Sequence, residues 1–296
     1  MKSNFFNFII LVLFGGGIVF SFSSCGDDEV KLPAIGGFNN SDEVAATSLV
    51  AYWPLDGNGK ESKSGASPSQ TLNASFVTGV RGQAVSFTNG LLAYNEIAAL
   101  NTLPSFTVSA WVNVKNNQDG ASVPTCLFNL AKPWHAPNGN INFLIETGRY
   151  KSTSDTIVAK IWYISKIGTA ENGQDGVNEP SRGGVQAPRS EGKWFHVVGR
   201  WSAATNKTAV FVNGVNVTNP EWEDRKFNNG PIGDLTFWTP TNPIIGGWAD
   251  NTNITTKGSE GWHKPMTGLV DELRVFNKSI TDAEISALYQ LGLAGR

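Results

Sequence analysis

The chain has 296 residues, of which 40% are hydrophobic and 16% charged, and its formal net charge is −2 at pH 7. No block of basic residues occurs in the sequence, which argues against a nucleic-acid-binding surface. The 32 glycines and 10 tryptophans, combined with the low charge, favour an all-β domain with many turns.

The first 24 residues have the pattern of a secretory signal peptide. Lys2 precedes an apolar run from Phe5 to Phe20, and small residues follow just before Cys25. The run is short for a helix of about 20 residues that would span a membrane. If Cys25 is not the first residue of the mature chain, the alternatives for this segment are an ordinary signal peptide and a single membrane anchor. Residues 25–47 lack hydrophobic periodicity, so we predict a flexible tether there and a folded domain at 48–292.

The folded region reads as a series of short strands separated by turns. Asn213-Gly214 between two apolar runs is the strongest hairpin signal. Cys126 lies in a strand pattern and is predicted to be an inert buried thiol. Strands are predicted at 50–55, 80–87, 105–112, 125–131, 140–146, 156–164, 193–198, 208–212, 215–218, 244–247 and 268–277.

The last predicted strand, Gly268–Asn277, alternates with period two and places Asp271 on one face with Leu273 and Val275. An unpaired carboxylate among aliphatic side chains is costly, so the chain must supply a cation or hydrogen-bond donors. Thr281 and Glu284 form a capping-box pattern, which predicts a short helix that stops near Gly292.

Several of these stretches, in this order, resemble a laminin-G-like module. They are Tyr52-Trp53-Pro54-Leu55-Asp56-Gly57, Phe106-Thr107-Val108-Ser109-Ala110-Trp111, Asn213-Gly214, Ile244-Ile245-Gly246-Gly247 and the final strand with its helix. The resemblance covers about 48–292. It implies an all-β, two-sheet antiparallel jelly-roll sandwich of the concanavalin A-like type, with a short C-terminal helix.

The resemblance also supports a structural calcium ion where the first and last strands meet. Asp271 would be the central ligand, joined by Asp56 and by Glu61, since calcium takes hard oxygen ligands. The alternative is that backbone amides, Arg81 or Arg274 satisfy the Asp271 carboxylate.

Aromatic residues in or beside predicted loops are candidates for carbohydrate binding, because indole rings stack on the C–H faces of sugars while nearby polar groups bond the hydroxyls. Plain packing is the alternative for each of them. The candidates are Trp134, Tyr150, Trp222, Trp238, Trp248 and Trp262.

Signatures of catalysis are missing from the sequence. The Glu-x-Asp strand of the related β-glucanases does not occur, and His135, His196 and His263 do not have metal-ligand spacing. We expect His196 to be structural. A non-catalytic glycan-binding protein is therefore favoured, while a glycoside hydrolase or lyase of the same fold and a protein-binding adhesion module stay open.

The position of Cys25 resembles that in bacterial lipoprotein signals, although Phe22 stands where leucine is commoner. Cys25 would then carry the lipid, including palmitate. The acidic stretch Asp27-Asp28-Glu29 resembles the surface-export signal of Bacteroidetes lipoproteins. Together these resemblances imply an outward-facing protein of the outer membrane whose partners are a glycan or other surface polymer, and possible surface proteins.

Overall fold

The structure is a computed structural model, and it describes residues 32–133, 138–182, 187–188, 193–253 and 260–296. Residues Ala34–Arg296 form one compact unit. The strands, in chain order, are β1 Leu49–Trp53, β2 Gln70–Thr78, β3 Gln83–Ala93, β4 Phe106–Asn113, β5 Thr125–Ala131, β6 Ile141–Ile145, β7 Thr156–Ile157, β8 Ala159–Ile167, β9 Ala170–Val177, β10 Ala187–Pro188, β11 Phe195–Ser202, β12 Lys207–Val212, β13 Val215–Asn216, β14 Lys226–Phe227, β15 Gly230–Pro231, β16 Asn242–Ile245 and β17 Met266–Phe276. The α-helix, α1, is Asp282–Leu293.

Thirteen of these strands form one curled antiparallel sheet with the order β13-β12-β11-β4-β17-β3-β16-β5-β6-β8-β9, to which β1 adds beside β17 and β2 beside β3. The sheet folds over so that β8 and β9 pack on β12. The predicted all-β jelly-roll sandwich with a C-terminal helix is confirmed. Its two layers are halves of one hydrogen-bonded sheet, because β3 pairs with both β17 and β16, and β16 pairs in turn with β5.

The main hydrophobic core lies between the two layers. Phe106, Val108 and Ala110 point into it from β4, as the period-two pattern predicts, and meet Phe143 and Tyr163 from the opposite layer. The rings of Phe106 and Tyr163 pack edge to face at 5.6 Å. Burial of these aromatic and aliphatic side chains supplies the main driving force for the sandwich.

We call the layer that contains β4, β11, β12 and β17 the first layer and the layer that contains β5, β6, β8 and β9 the second layer. Helix α1 covers the outer face of the first layer. Ile285, Leu288 and Leu291 pack against Phe211 and Phe276 of the sheet. Thr281 and Glu284 form the predicted capping box, with the Thr281 side chain accepting from the Glu284 N–H at 3.2 Å. The helix therefore covers the part of this outer face on which Phe211 and Phe276 lie.

Residues 34–47, predicted as part of a flexible tether, belong to the domain instead. Val44 is only 1% exposed, and Ile35 and Phe38 pack against the same hydrophobic cluster as α1. These residues have no hydrophobic periodicity, and for that reason the sequence predicts a tether. Their isolated apolar side chains nevertheless pack against the hydrophobic cluster formed by α1 and the sheet. The predicted lipidation site, Cys25, and the predicted signal peptide 1–24 lie outside the described residues.

The strict alternation predicted for the last strand fails at Glu272. A β-bulge interrupts the pairing with β4 between Asp271 and Arg274, and Glu272 has a left-handed φ of 52°. Val270 faces the core before the bulge, and Leu273 and Val275 face it after the bulge. The sequence predicted that Asp271 shares a face with Leu273 and Val275. Because of the bulge, it does not.

In the described residues, no helix has both the length and the apolar character needed to cross a membrane.

Candidate functional site

Asp271 ties the last strand to the turn that joins β2 and β3. Its Oδ2 accepts the backbone N–H groups of Val80 at 2.7 Å and Arg81 at 3.1 Å. The side chain is buried and Oδ1 has no hydrogen-bond partner among the described residues. Burial raises the pKa of Asp271 to about 7, against the opposing effect of the N–H groups.

Asp56 holds the same turn from the other side. Its Oδ1 accepts the Gln83 N–H at 2.6 Å. A side chain at Gly79 would collide with the Asp271 carboxylate, and one at Gly82 would collide with Asp56. These glycines let two carboxylates approach one short turn, so the first and last strands are joined through the turn.

Glu61 is fully buried, and its carboxylate accepts four hydrogen bonds. Its carboxylate accepts the N–H groups of Tyr52 at 2.7 Å and Lys63 at 2.8 Å, together with both the N–H and the hydroxyl of Ser64. This arrangement covers the edge of β1 and pins the 61–66 loop to it.

An ionic cluster lies beside this junction, and its central pair, Arg274 and Glu272, is buried. Arg274 contacts Glu272 at 2.6 Å and Asp42 at 3.1 Å, and the Tyr52 hydroxyl donates to Glu272 at 2.6 Å. Arg81 binds Asp42 with both terminal nitrogens at 2.9 Å, and the two arginines lower the pKa of Asp42. The cluster attaches the amino-terminal segment to the last strand.

These contacts do not fit a calcium ion at Asp56, Glu61 and Asp271. Each carboxylate faces backbone N–H groups, which are hydrogen-bond donors, whereas calcium needs converging oxygens. Among the described residues, no three His, Cys, Asp or Glu side chains lie close enough to hold a metal. The geometry matches the alternative in which backbone amides satisfy Asp271, and calcium stays a prediction.

An open groove of about 280 Å³ runs over the outer face of the second layer. The groove is formed mainly by β6 and β8, on the face of these strands that points away from the core. Leu144 pairs with Lys160 across these strands, and Trp162 follows two residues on. Trp162 is half-buried, so part of its indole faces the groove.

Trp262 forms the second aromatic wall of the groove. It packs edge to face on Trp248 at 5.0 Å, and Trp248 stacks on His263 at 4.4 Å with an interplanar angle of 9°. Asp250 Oδ2 contacts His263 Nδ1 at 2.5 Å. Trp248 is fully buried, so it supports Trp262 from below, while Trp262 is half-buried and accessible.

A row of charges borders the tryptophans. Lys160 Nζ lies 3.5 Å from Glu146 and 3.3 Å from Asp175, and Asp175 also contacts Arg225 at 2.8 Å. All four side chains are partly exposed. The groove thus combines two aromatic faces with hydrogen-bonding groups at its rim, which is the arrangement that pyranose or furanose rings require.

The other predicted aromatics do not line this groove. Trp222 lies under the Arg225 guanidinium, whose central carbon is 5.2 Å from the ring centre. Trp238 packs with Lys166, whose Nζ is 4.5 Å from the ring. Tyr150 is half-buried elsewhere, and Trp134 lies outside the described residues. Of the predicted aromatic residues that the structure describes, it brings together only Trp248 and Trp262.

Trp162 lies in strand β8, so the prediction that sugar-binding aromatic residues lie in or beside loops did not include it. The signal was present in β8, where Lys160 and Trp162 alternate with the core residues Ile161 and Tyr163. A tryptophan flanked at i−2 by a charged residue on the outer face of a strand points to an exposed platform.

His196 has the structural role expected from the sequence. Its Nε2 lies 2.8 Å from the Ser109 hydroxyl, and its ring packs beside those of Trp111, at 5.3 Å, and Tyr289 of α1, at 6.3 Å. Burial lowers the pKa of His196 to about 3, so the ring is neutral. Cys126 is also buried, and burial raises the pKa of its thiol, which keeps it unreactive.

The fold is a curled antiparallel β-sandwich with an aromatic groove on one outer face. A laminin-G family model, described as the concanavalin A-like lectin/glucanases superfamily, matches residues 88–286, more than half of the chain. The chain therefore belongs to this family. No curated protein sequence matches it significantly.

Solved structures share the fold at low sequence identity. Domain 4 of an extracellular arabinanase from Geobacillus stearothermophilus, in complex with arabinotriose, is 15% identical with a TM-score of 0.52, over 82% of this chain and 98% of that one. The binding domain of botulinum neurotoxin DC, in complex with rat synaptotagmin II, is 9% identical with a TM-score of 0.50, over 84% of this chain and 52% of that one. These similarities establish the fold alone.

Proposed function

We propose that the protein is a non-catalytic carbohydrate-binding lipoprotein of the cell surface. The observation that carries the proposal is the groove in which the half-exposed rings of Trp162 and Trp262 stand beside Lys160 and Glu146. The likeness to an arabinanase domain bound to arabinotriose supports a glycan as the ligand class.

Affinity electrophoresis through gels containing single polysaccharides tests this function, with pullulan, xylan, arabinan and polygalacturonate as the panel. We expect retardation by at least one polymer, and a loss of affinity of about tenfold or more for Trp162→Ala and Trp262→Ala, since aromatic anchors dominate binding. Trp222→Ala is the matched control, because that indole lies outside the groove. Binding that is unchanged in both groove variants would reject the site.

A glycoside hydrolase is the second candidate, and one observation favours it. Glu146 and Asp175 each lie within 3.5 Å of Lys160 Nζ, so their contacting oxygens are at most 7 Å apart. That separation is compatible with a pair of catalytic carboxylates. Lys160 lies between them, however, and forms an ion pair with each, so neither carboxylate faces the groove without a partner. Release of reducing ends by the wild type, abolished in Glu146→Gln, would establish hydrolysis.

The proposal of a surface lipoprotein rests on the sequence pattern around Cys25. Metabolic labelling with radioactive palmitate should mark the wild type and leave Cys25→Ala unlabelled. Protease added to intact cells should degrade the protein if it faces outward. Label in both chains, or full protection in intact cells, would contradict the anchor or the outward placement.

A further inference from the structure

A cavity of about 740 Å³ lies next to the groove, where the end of β4, the segment leading to β5 and the start of β17 meet. Its volume is within the range of about 300–1,000 Å³ that is typical of small-molecule sites, whereas the groove, at about 280 Å³, falls just below this range. The groove alone therefore holds only part of a ligand of ordinary size.

Two segments of the chain pass from the groove to the cavity. Pro124, in the first segment, lines both of them. In the second segment, Trp262 forms a wall of the groove, and Lys264 and Pro265 just after it line the cavity. The two spaces are therefore neighbours, and a ligand seated on Trp262 can extend a substituent into the cavity.

Three polar side chains in the cavity wall are bonded to the protein itself. The Asn117 amide nitrogen donates to the Val123 carbonyl, and its carbonyl oxygen accepts the Val123 N–H, each at 3.0 Å. The Asn116 amide nitrogen donates to two backbone carbonyls at 2.9 Å, and the Thr125 hydroxyl lies 2.9 Å from that of Thr147. These side chains therefore use most of their hydrogen-bonding capacity within the protein and offer few partners to the hydroxyls of a sugar ring.

Most of the other lining residues are apolar. In addition to Pro124 they include Val114, Ala121, Val123, Pro265, Met266 and Leu269. Val114 and Met266 are buried, and a Cβ at Gly268 would lie 2.7 Å from the Val114 side chain, because β4 and β17 approach closely here. This apolar surface is preformed, so an apolar group binds to it with a small ordering cost.

We infer that the cavity binds an apolar acyl substituent of the glycan whose rings stack on Trp162 and Trp262. A second bare sugar ring fits the cavity poorly, because its hydroxyls would exchange water for a wall with few hydrogen-bonding partners. An ester-linked acyl group has no donor to satisfy, and it gains free energy when its apolar surface leaves water. This inference rests on the proposed glycan-binding function and adds the class of glycan, an O-acylated one.

A matched set of polymers tests the inference. The panel polysaccharide that binds the wild type most tightly is used unmodified, sparsely O-acetylated and sparsely O-cinnamoylated, so that the two esters distinguish an aliphatic from an aromatic acyl group. Dissociation constants are measured by biolayer interferometry for the wild type and for Ala121→Trp, whose indole fills the cavity from an exposed turn. Ala204→Trp, at an exposed turn outside the cavity, is the matched control.

Met266 gives a direct signal from the cavity. The chain has 2 methionines, and Met266 lies in the cavity wall. Its ¹³C-methyl resonance, assigned with Met266→Leu, is followed by NMR while short fragments of the three polymer forms are added to the wild type. This measurement reports on the cavity without relying on the fold of a variant.

We expect the wild type to bind at least one acylated form about tenfold more tightly than the unmodified polymer, and the acylated fragments alone to shift the Met266 methyl signal. Ala121→Trp should lose this preference and keep its affinity for the unmodified polymer, while Ala204→Trp should behave like the wild type. Equal or weaker binding of both acylated forms, or a preference that survives in Ala121→Trp, would overturn the inference and leave the glycan-binding function. Binding to none of the panel polysaccharides would overturn the inference and the function together.

Discussion

Replacing Asp271 with Asn removes the buried negative charge while keeping an oxygen that can accept the N–H groups of Val80 and Arg81. The Asp271 pKa is raised to about 7, mainly because burial penalises the charged form. The folded state thus binds a proton more tightly than the unfolded chain between about pH 4 and pH 7. The contribution of Asp271 to the free energy of unfolding is therefore complete below the pKa that Asp271 has in the unfolded chain. It is lost as the pH rises through about 7, the pKa in the folded state.

The magnitude follows from the shift. A raise of about three pKa units corresponds to roughly 4 kcal/mol at most, and relaxation around the charge reduces it to about 2–4 kcal/mol. Urea unfolding at pH 4.5, 5.5, 6.5, 7.5 and 8.5 measures it. We expect the free energy of unfolding of the wild type, relative to Asp271→Asn, to fall by this amount between pH 4.5 and 7.5. Asp271→Ala should lose about 2–4 kcal/mol even at pH 4.5, since both N–H groups lose their acceptor.

A difference between wild type and Asp271→Asn that does not depend on pH would refute this reasoning. The same proteins test the calcium prediction. If Asp271 binds calcium, EDTA lowers the melting temperature of the wild type but not that of Asp271→Ala. The hydrogen-bond geometry around Asp271 predicts equal melting temperatures of the wild type with and without EDTA.

Three further variants test the packing. Arg274→Ala should cost about 3–5 kcal/mol in urea unfolding, because it leaves Glu272 buried without its partner, whereas Lys207→Ala, which breaks an exposed pair, should cost less than about 1 kcal/mol. Gly268→Ala should cost about 2 kcal/mol or more, since the added Cβ meets the Asn113 carbonyl in a left-handed backbone, while Gly120→Ala should change the free energy of unfolding little. Deleting residues 34–47 should lower the melting temperature by about 5 °C or more, as Val44 is buried on the α1 cluster; an unchanged melting temperature would restore the tether interpretation.

Much of the fold could be predicted from local patterns. Alternating residues identified β4 and its inward face, and the capping box at Thr281 placed α1 to within a residue. The bulge at Glu272 could not be predicted, because a single extra residue in a strand leaves the apolar composition unchanged and depends on the partner strand. The packing of residues 34–47 was missed for a similar reason, since it needs an apolar surface formed by distant parts of the chain.

The site was less predictable than the fold. Trp262 was identified by its loop position, but Trp248 beside it proved to be its buried support. Whether an aromatic side chain is exposed depends on which face of the curled sheet is covered, and α1 covers only the first layer. That information is tertiary: the alternation in β8 places Trp162 opposite the core residues, but only the structure shows that this face of the sheet is uncovered.

The most direct test of the glycan groove is an NMR titration that follows the indole N–H signals of the ten tryptophans. Arabinotriose, xylotriose and trigalacturonate are added in turn to the uniformly ¹⁵N-labelled protein, with assignments from single Trp→Phe variants. The glycan-binding account predicts that at least one trisaccharide shifts the signals of Trp162 and Trp262 together, while those of Trp53 and Trp201 in the core stay fixed. Shifts confined to Trp222 and Trp238 would contradict it.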